Sequence, residues 1–445
     1  MTGALSQAIA EFAAAADARG FPASAREQVR LSLLDWSAVA VAGAAEPVSR
    51  IVRDLLADES GVPECTVLGL RQRLPPRAAA LANGTTSHAL DYDDTHFDFV
   101  GHPSSPVISA ALAVAEKQKA GGAALLEAIL VGVETTCRIG RWLGKPHYER
   151  GFHQTATSGT FGAAAACARL LGLDAARLRH ALGIAATRAA GLKSQFGTMG
   201  KPYHAGMAAA SGVEAALLAA RGFVSRPDGL ECSQGFSETH GGAGGDPQEV
   251  LGGLGREFRF ERVQYKYHAC CHGTQGAVEA LLALRRRAGF PPEAVRRVTL
   301  RVHPQWLQVC NIQSPRTGLE AKFSFRFTAA LALAGVDTGS LATFSAEACL
   351  RPDLVALRDK VSVQTDAALA DTEAEASVET TGGSFSERLD LDAPVAQSAQ
   401  RDKLLAKAHS LLGAARCGEV WAAISQLEEG PASALAAALA GDPPL

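Results

Sequence analysis

Residues 88–102 read HALDYDDTHFDFVGH, which puts three histidines, four aspartates and a threonine into fifteen positions. Such side chains are costly to bury without partners, yet the stretch lies between Ala-rich apolar segments rather than in a polar tail. A solvated acidic loop is the plain reading, because charged side chains are mostly exposed. The mixture of proton donors and acceptors, and the closing turn Gly101-His102-Pro103, point instead to acid–base work or ligation. Three further clusters add to it. Gly151-Phe152-His153-Gln154-Thr155 sits just before an Ala-rich helix, where unpaired N–H groups and the dipole favour an anion. GTMGKPYHAG, residues 197–206, presents Lys201 in a Gly/Pro-punctuated turn before another helix, a cation preset for a carboxylate. YKYHACCHGT, residues 265–274, carries Lys266, His268, Cys271 and His272. Any one of these alone is an ordinary cap, a surface lysine or an inert thiol. Together they are the inventory for holding a polyanionic small molecule and moving its protons.

The elements that must position these groups are mostly helical. The segments 27–42, 107–119, 124–143, 157–171, 174–189 and 205–220 are helix-length and bounded by Gly, Pro or Asp, and their apolar positions recur at three and four. GTFGAAAACARLLG, residues 159–172, is apolar nearly all round and rich in small residues. That composition suits central helices whose backbones approach closely. Past residue 258 the pattern changes: 297–303, RVTLRVH, alternates in the manner of a strand, 360–363 and 376–381 are weaker strand candidates, and Gly382-Gly383 marks a turn. Helices are expected at 323–334 and 345–358. The fold class is therefore mainly α: a large all-helical domain (1–259), a smaller α+β domain (260–397), and C-terminal helices (398–445) packing back on the first.

Composition bounds the partners. The chain has 445 residues, 47% hydrophobic and 20% charged, with a net charge of −3, which argues against nucleic acid or an anionic membrane as the main partner. The nine cysteines form no CxxC pair and fit reduced thiols in a cytoplasmic protein. The N-terminus lacks a basic segment ahead of an apolar run and reads as a helix rather than a signal peptide. Apolar runs such as AILVGV after Glu127 fall far below the roughly 20 residues of a membrane span. No GxGxxG follows a strand and no GxxxxGK[ST] occurs, so nothing marks a dinucleotide or P-loop site.

Four motifs, in one order, resemble the MmgE/PrpD family: HALDYDDTH with GHPSSPVISAALAVAE, GFHQTATSGTFGAA, FGTMGKPYHAGMAAASGVEAALLA, and KYHACCHGTQGAVEALL. That family includes 2-methylcitrate dehydratase, cis-aconitate decarboxylase and iminodisuccinate epimerase, and the resemblance runs over residues 27–334. It implies a helical domain, a smaller α+β lid domain, a homodimer, a small polycarboxylate substrate, and chemistry with neither metal nor organic cofactor. It also implies roles. Asp91 and Thr95 match positions lining the substrate pocket, His102 and His153 match pocket histidines, and Lys201 and Lys266 match lysines that hold substrate carboxylates. His204 of the K-P-x-H motif and His268 join them as substrate-binding candidates. Two departures concern the reaction. Cys271 stands where the decarboxylases carry a histidine, with His268 and His272 on either side, and the segment around Asn311–Pro315 lacks the tyrosine expected there.

The family's reactions share one physical problem: a proton or CO2 leaves from a carbon beside a carboxylate, and the carbanion-like charge must be stabilised. On this reading Lys201 and Lys266 clamp carboxylates, His102 and His153 transfer protons, Asp91 orients a histidine, Thr95 binds substrate, and Cys271 with His272 are further catalytic candidates. A hydro-lyase acting on a citrate-like acid is the first expectation. An epimerase of an iminodisuccinate-like diacid and a cis-aconitate-type decarboxylase are the alternatives. His88, Asp93, Asp98 and His96 are expected to be structural or solvated. Two readings from other classes remain: a metal-dependent hydrolase with His88, Asp91, Asp94, His96 and His102 as ligands, though no HExxH or HxH spacing is present, and a non-catalytic helical scaffold.

Overall fold

A computed structural model describes residues 4–16, 20–59, 61–241 and 244–441. The chain divides into two compact units, residues 1–265 with 412–445, and residues 266–411.

The larger unit is a helical bundle. Its most enclosed helix, Gln154–Leu170, is buried on every side through Ala168 and packs against Gly122–Glu149, Ser104–Gln118 and Gly200–Ala220. Pro76–His88 lies against Gly200–Ala220 and Ser104–Gln118. Small residues make these crossings possible. A Cβ added at Gly206 would fall 2.2 Å from Thr85 Oγ1 and 2.3 Å from the Leu81 carbonyl oxygen, and one at Gly162 would fall 1.9 Å from Thr136 Oγ1. The site-bearing helices can therefore touch backbone to backbone, which brings their ends into one place.

Local chemistry sets the boundaries. Asp174 caps Ala175–Arg188 by accepting the Arg177 N–H. Gly122–Glu149 runs on past the expected stop at Leu143, but through a kink at Gly144 (φ 65°, ψ −167°) followed by Pro146. One hairpin interrupts the helices: β1 (Cys65–Val67) pairs antiparallel with β2 (Leu70–Leu74) around Gly69, at φ +73°. Its second strand, LRQRL, exposes three consecutive residues, so no period of two announces it. No helix among the described residues is long and apolar enough to cross a membrane.

The smaller unit is built on a four-stranded sheet in the order β4-β3-β5-β6, with β3 at Val295–Val302, β4 at Val361–Thr365, β5 at Glu373–Thr380 and β6 at Gly383–Asp390. β3 runs parallel to β4, with Leu300 beside Val363, and antiparallel to β5, with Leu300 beside Ala376. Val298, Leu300, Val302, Ala376 and Val378 form one core with Leu281, Leu284, Phe325 and Ala329, contributed by the helices His272–Ala288 and Phe325–Ala334. β6 escapes sequence reading because GSFSERLD is an edge strand with no fully buried residue. The expected 345–358 helix is two helices, Ala346–Leu350 and Pro352–Arg358, broken where Pro352 cannot continue the first. The Gln397–Leu412 helix stays with this unit through Leu411, held by Lys403 Nζ on Glu279 at 2.7 Å and Ser410 Oγ on Asp337 at 2.7 Å. Ala414–Ser425 and Ala432–Leu439 belong to the larger unit.

Candidate active site

The 89–103 loop links the end of Pro76–His88 to the start of Ser104–Gln118, and its backbone is pinned at several points. Asp91 takes φ +50°, a conformation that a short polar side chain tolerates. Thr95 exchanges both backbone hydrogen bonds with Gln264, each at 2.7 Å, and His96 pairs with Gly101. A Cβ on Gly101 would fall 2.3 Å from the Phe99 ring. The His102 N–H then donates to Thr155 Oγ1 at 3.0 Å, tying the loop to the start of Gln154–Leu170.

This fixed loop buries Asp93, which is only 1% exposed. His88 donates from Nδ1 to Asp93 Oδ1 at 2.9 Å, Ser105 Oγ donates to Oδ2 at 2.7 Å, and His102 Nδ1 lies 3.3 Å from Oδ2. Burial alone would raise the Asp93 carboxyl, but the charges and hydrogen bonds of His88 and His102 outweigh it and hold it well below the ordinary carboxylate range. Burial lowers His88, against the opposing pull of the Asp93 charge. On the far side of the His102 ring, Nε2 is 3.6 Å from Asp91 Oδ1, and Lys201 Nζ sits 2.7 Å from that same oxygen. Lys201 also lies 5.4 Å from the centre of the Phe196 ring.

His153, at the N-cap of Gln154–Leu170, faces His204 with Nδ1 to Nδ1 at 3.2 Å. Its ring stacks 5.8 Å from His88, and His88 is 4.5 Å from His102. Burial first, then the neighbouring His88, Lys201, His102 and His204, push His153 well below the ordinary histidine range. Burial, His88 and Lys201 lower His204 as well. Asp91, His102, His153, Lys201 and His204 thus meet in one place in the larger unit. Asp93 and His88, expected to be structural or solvated, are bonded directly into this cluster.

The remaining members of the loop turn elsewhere. Asp94 accepts from Ser104 Oγ, and burial with the nearby Asp35 carboxyl pushes it well above the carboxylate range. His96 Nε2 donates to the Arg259 carbonyl at 2.8 Å, and Asp98 pairs with Arg259 and Arg262. The five-ligand metal set read from sequence is therefore not assembled. Among the described residues the His/Asp group whose donor atoms lie within 4.8 Å of one another is His88, Asp91, Asp93 and His102. Within it Asp91 carries Lys201, and Asp93 is divided among two histidines and a serine. The two carboxylates of the set are thus engaged by side chains of the protein itself, while His88 Nε2 and His102 Nδ1 make no well-formed hydrogen bond among the described residues.

In the smaller unit Lys266 is 3% exposed. His268 Nδ1 is 2.7 Å from Thr338 Oγ1, its N–H donates to Gln275, and Nε2 lies 3.5 Å from Glu279 Oε1. Burial opposes ionisation of Glu279, but His268 and Lys403 hold it down at about 2. His268 is thus held between elements of its own unit, by Thr338 on one side and the Glu279 charge on the other. Cys271 is the N-cap of His272–Ala288, partly exposed, and its N–H donates to the Lys322 carbonyl at 2.9 Å. Cys270 is buried and pushed up to about 12, an inert thiol.

With this geometry in view, comparison with known proteins is direct. The MmgE/PrpD N-terminal domain matches residues 7–247 and the MmgE/PrpD C-terminal domain matches residues 268–421. The chain belongs to the MmgE/PrpD family. Similar curated proteins include the cis-aconitate decarboxylase-like protein oryM of Aspergillus oryzae, 34% identical over 280 residues, covering 60% of this chain and 58% of that one. Cis-aconitate decarboxylase of Aspergillus terreus is 34% identical over 295 residues, 63% and 59% of the two chains. The Homo sapiens cis-aconitate decarboxylase is 30% identical over 303 residues, 66% and 62%. The matched region spans about three fifths of these relatives' length.

Sequence reasoning missed Asp93 and His88 because their partners come from tertiary packing. A usable signal existed in the His88 to Asp93 spacing across a helix end, followed by Ser104-Ser105 opening the next helix.

Proposed function

We propose that this chain is a lyase acting without metal or organic cofactor on a small polycarboxylate, by lysine- and histidine-assisted proton transfer beside a carboxylate. The observation that supports it is the environment of Asp91 Oδ1, 2.7 Å from Lys201 Nζ and 3.6 Å from His102 Nε2. This pair already holds a carboxylate oxygen, so a substrate carboxylate finds its cation and its base preset.

In the proposed reaction Lys201 binds the carboxylate next to the reacting carbon. His102, with Nδ1 set against Asp93, takes the C–H proton at Nε2. The charge left on carbon spreads into the carboxylate, where the ammonium of Lys201 stabilises it. In a dehydration the new double bond forms as hydroxide leaves, and His153 supplies the proton that turns it into water. We place Thr95 and Lys266 as substrate-binding residues on the family resemblance, and assembly as a homodimer on the same ground.

A hydro-lyase acting on a citrate-like acid is the leading form of this reaction, because Cys271 stands where the decarboxylases carry a histidine. The second form, decarboxylation of a cis-aconitate-like acid, is favoured by the names of the similar proteins. There CO2 leaves with its carbon–carbon bonding pair left on carbon, and a histidine protonates that carbon. Proton NMR of citrate-, aconitate- and imino-type acids in deuterated buffer separates the outcomes. Loss of water identifies the hydro-lyase, a new methylene product the decarboxylase, and deuterium entry without net conversion an epimerase. Unchanged spectra across the whole panel would overturn the proposal.

A further inference from the structure

His153 is only 2% exposed, so a proton that it gains or loses during turnover needs a route to water. Its Nδ1 meets one polar side chain, His204, at 3.2 Å. His204 lies near the start of Gly200–Ala220 and is partly exposed. Around this pair the fit is close. The His153 N–H donates to the Gly191 carbonyl at 3.0 Å, and Gly191, at φ +140°, lies against the His204 ring. A Cβ there would fall 2.8 Å from Ala156 Cβ and 3.3 Å from His204 Cγ. Phe196 packs edge-on to His153 at 5.0 Å. The charged and titratable groups facing the pair are His88, His102 and Lys201.

We propose that His204 is the proton relay of His153, passing protons between the buried imidazole and solvent. Two Nδ1 atoms in contact leave room for one hydrogen between them, so one ring donates and the other accepts. A proton arriving at Nε2 of His153 releases the Nδ1 proton to Nδ1 of His204, which then gives up a proton to water; the reverse order recharges His153. Only N–H bonds break and form, and no electrons change hands. Both rings are held below the ordinary histidine range, which suits a pair sharing one proton rather than carrying two.

The inference rests on the proton-transfer reading of the site, and its test separates the two. The test compares wild type with H204Q, a replacement of similar size, on cis-aconitate and citrate in weakly buffered D2O, with and without added imidazole. Deuterium entry or turnover by wild type is the control for the reading itself; none at all would overturn that reading and the relay with it. With wild type active, the relay predicts that H204Q loses about tenfold in kcat, less than the 10²–10⁴-fold range for removing a positioned acid or base. KM should be little changed, and imidazole should restore the rate in a saturating manner. A wild-type rate in H204Q, or a loss that imidazole does not restore, overturns the relay while leaving the reading in place. A merely structural histidine would not respond to imidazole.

Discussion

Replacing Asp93 by Asn tests how the buried loop works, because it keeps the shape and removes one charge. Asp93 accepts from His88 Nδ1 at 2.9 Å and from Ser105 Oγ at 2.7 Å, and faces His102 Nδ1 at 3.3 Å. An amide offers one accepting oxygen and presents an NH2 group where a carboxylate oxygen now accepts, so one ring N–H meets a donor. Losing a charge-assisted hydrogen bond costs about 1.5–3 kcal/mol, and a stranded buried donor costs about 1–3 kcal/mol more. Together these give about 2.5–6 kcal/mol, which brackets the roughly 3–5 kcal/mol seen when a buried charged pair loses one member. Urea unfolding measures this directly. The pH dependence adds a signature. The folded Asp93 carboxyl lies below its unfolded value, so its contribution is present above about pH 4 and is lost as pH falls through the folded value. D93N should therefore have a flatter acid limb than wild type. In turnover His102 loses its anchor, and kcat should fall by about 10²–10⁴-fold. A variant within about 0.5 kcal/mol of wild type, with an unchanged acid limb and rate, would refute this account of Asp93.

Other expectations follow from the same geometry. K201M should lose at least about 100-fold in kcat/KM, since a charge-assisted contact of about 3 kcal/mol is worth that factor, while far-UV circular dichroism stays that of wild type; a fully active K201M would remove Lys201 from the mechanism. Acid should destabilise the protein from about pH 6.5 downward. Burial holds His88, His153 and His204 below their unfolded value and His147 at about 4, so the unfolded chain binds more protons below about pH 6.5. His147 alone should cost about 3 kcal/mol between pH 7 and pH 4, and a urea midpoint that stays flat over that interval would contradict this. G206A places a methyl 2.2 Å from Thr85 Oγ1 and 2.3 Å from the Leu81 carbonyl oxygen, and should cost about 1–3 kcal/mol or more by overpacking. An unchanged melting temperature would mean that the helix crossing gives way more easily than its contacts indicate.

The long helices were legible because their apolar positions repeat at helical spacing and Gly, Pro or Asp stands at their ends. β3 was legible because Val298, Leu300 and Val302 alternate as buried residues along most of VRRVTLRV. β6 and the Cys65–Leu74 hairpin were not, since neither shows a buried alternate face. At the site, residue types could propose Lys201, His102, His153 and Asp91, but their meeting depends on three helix ends converging, which no local pattern encodes. The motif order of the family carried that step. Charge density in the loop did not sort its own members. Asp93, Asp94 and Asp98 look alike in sequence, yet one is shared by two histidines, one is bonded to Ser104 near Asp35, and one pairs with arginines. His268 looked like an available ligand, and only tertiary packing reveals Thr338 and Glu279 on either side of it.

The claim at the centre is that the larger unit's cluster moves protons beside a carboxylate, with His102 as the group that takes the first one. The direct measurement is the rate at which wild type and H102Q remove a carbon-bound proton from citrate and cis-aconitate in D2O, read by proton NMR on samples of matched fold. The account predicts loss of that signal with wild type and a rate lower by at least about 100-fold with H102Q. Equal rates in the two proteins would contradict it.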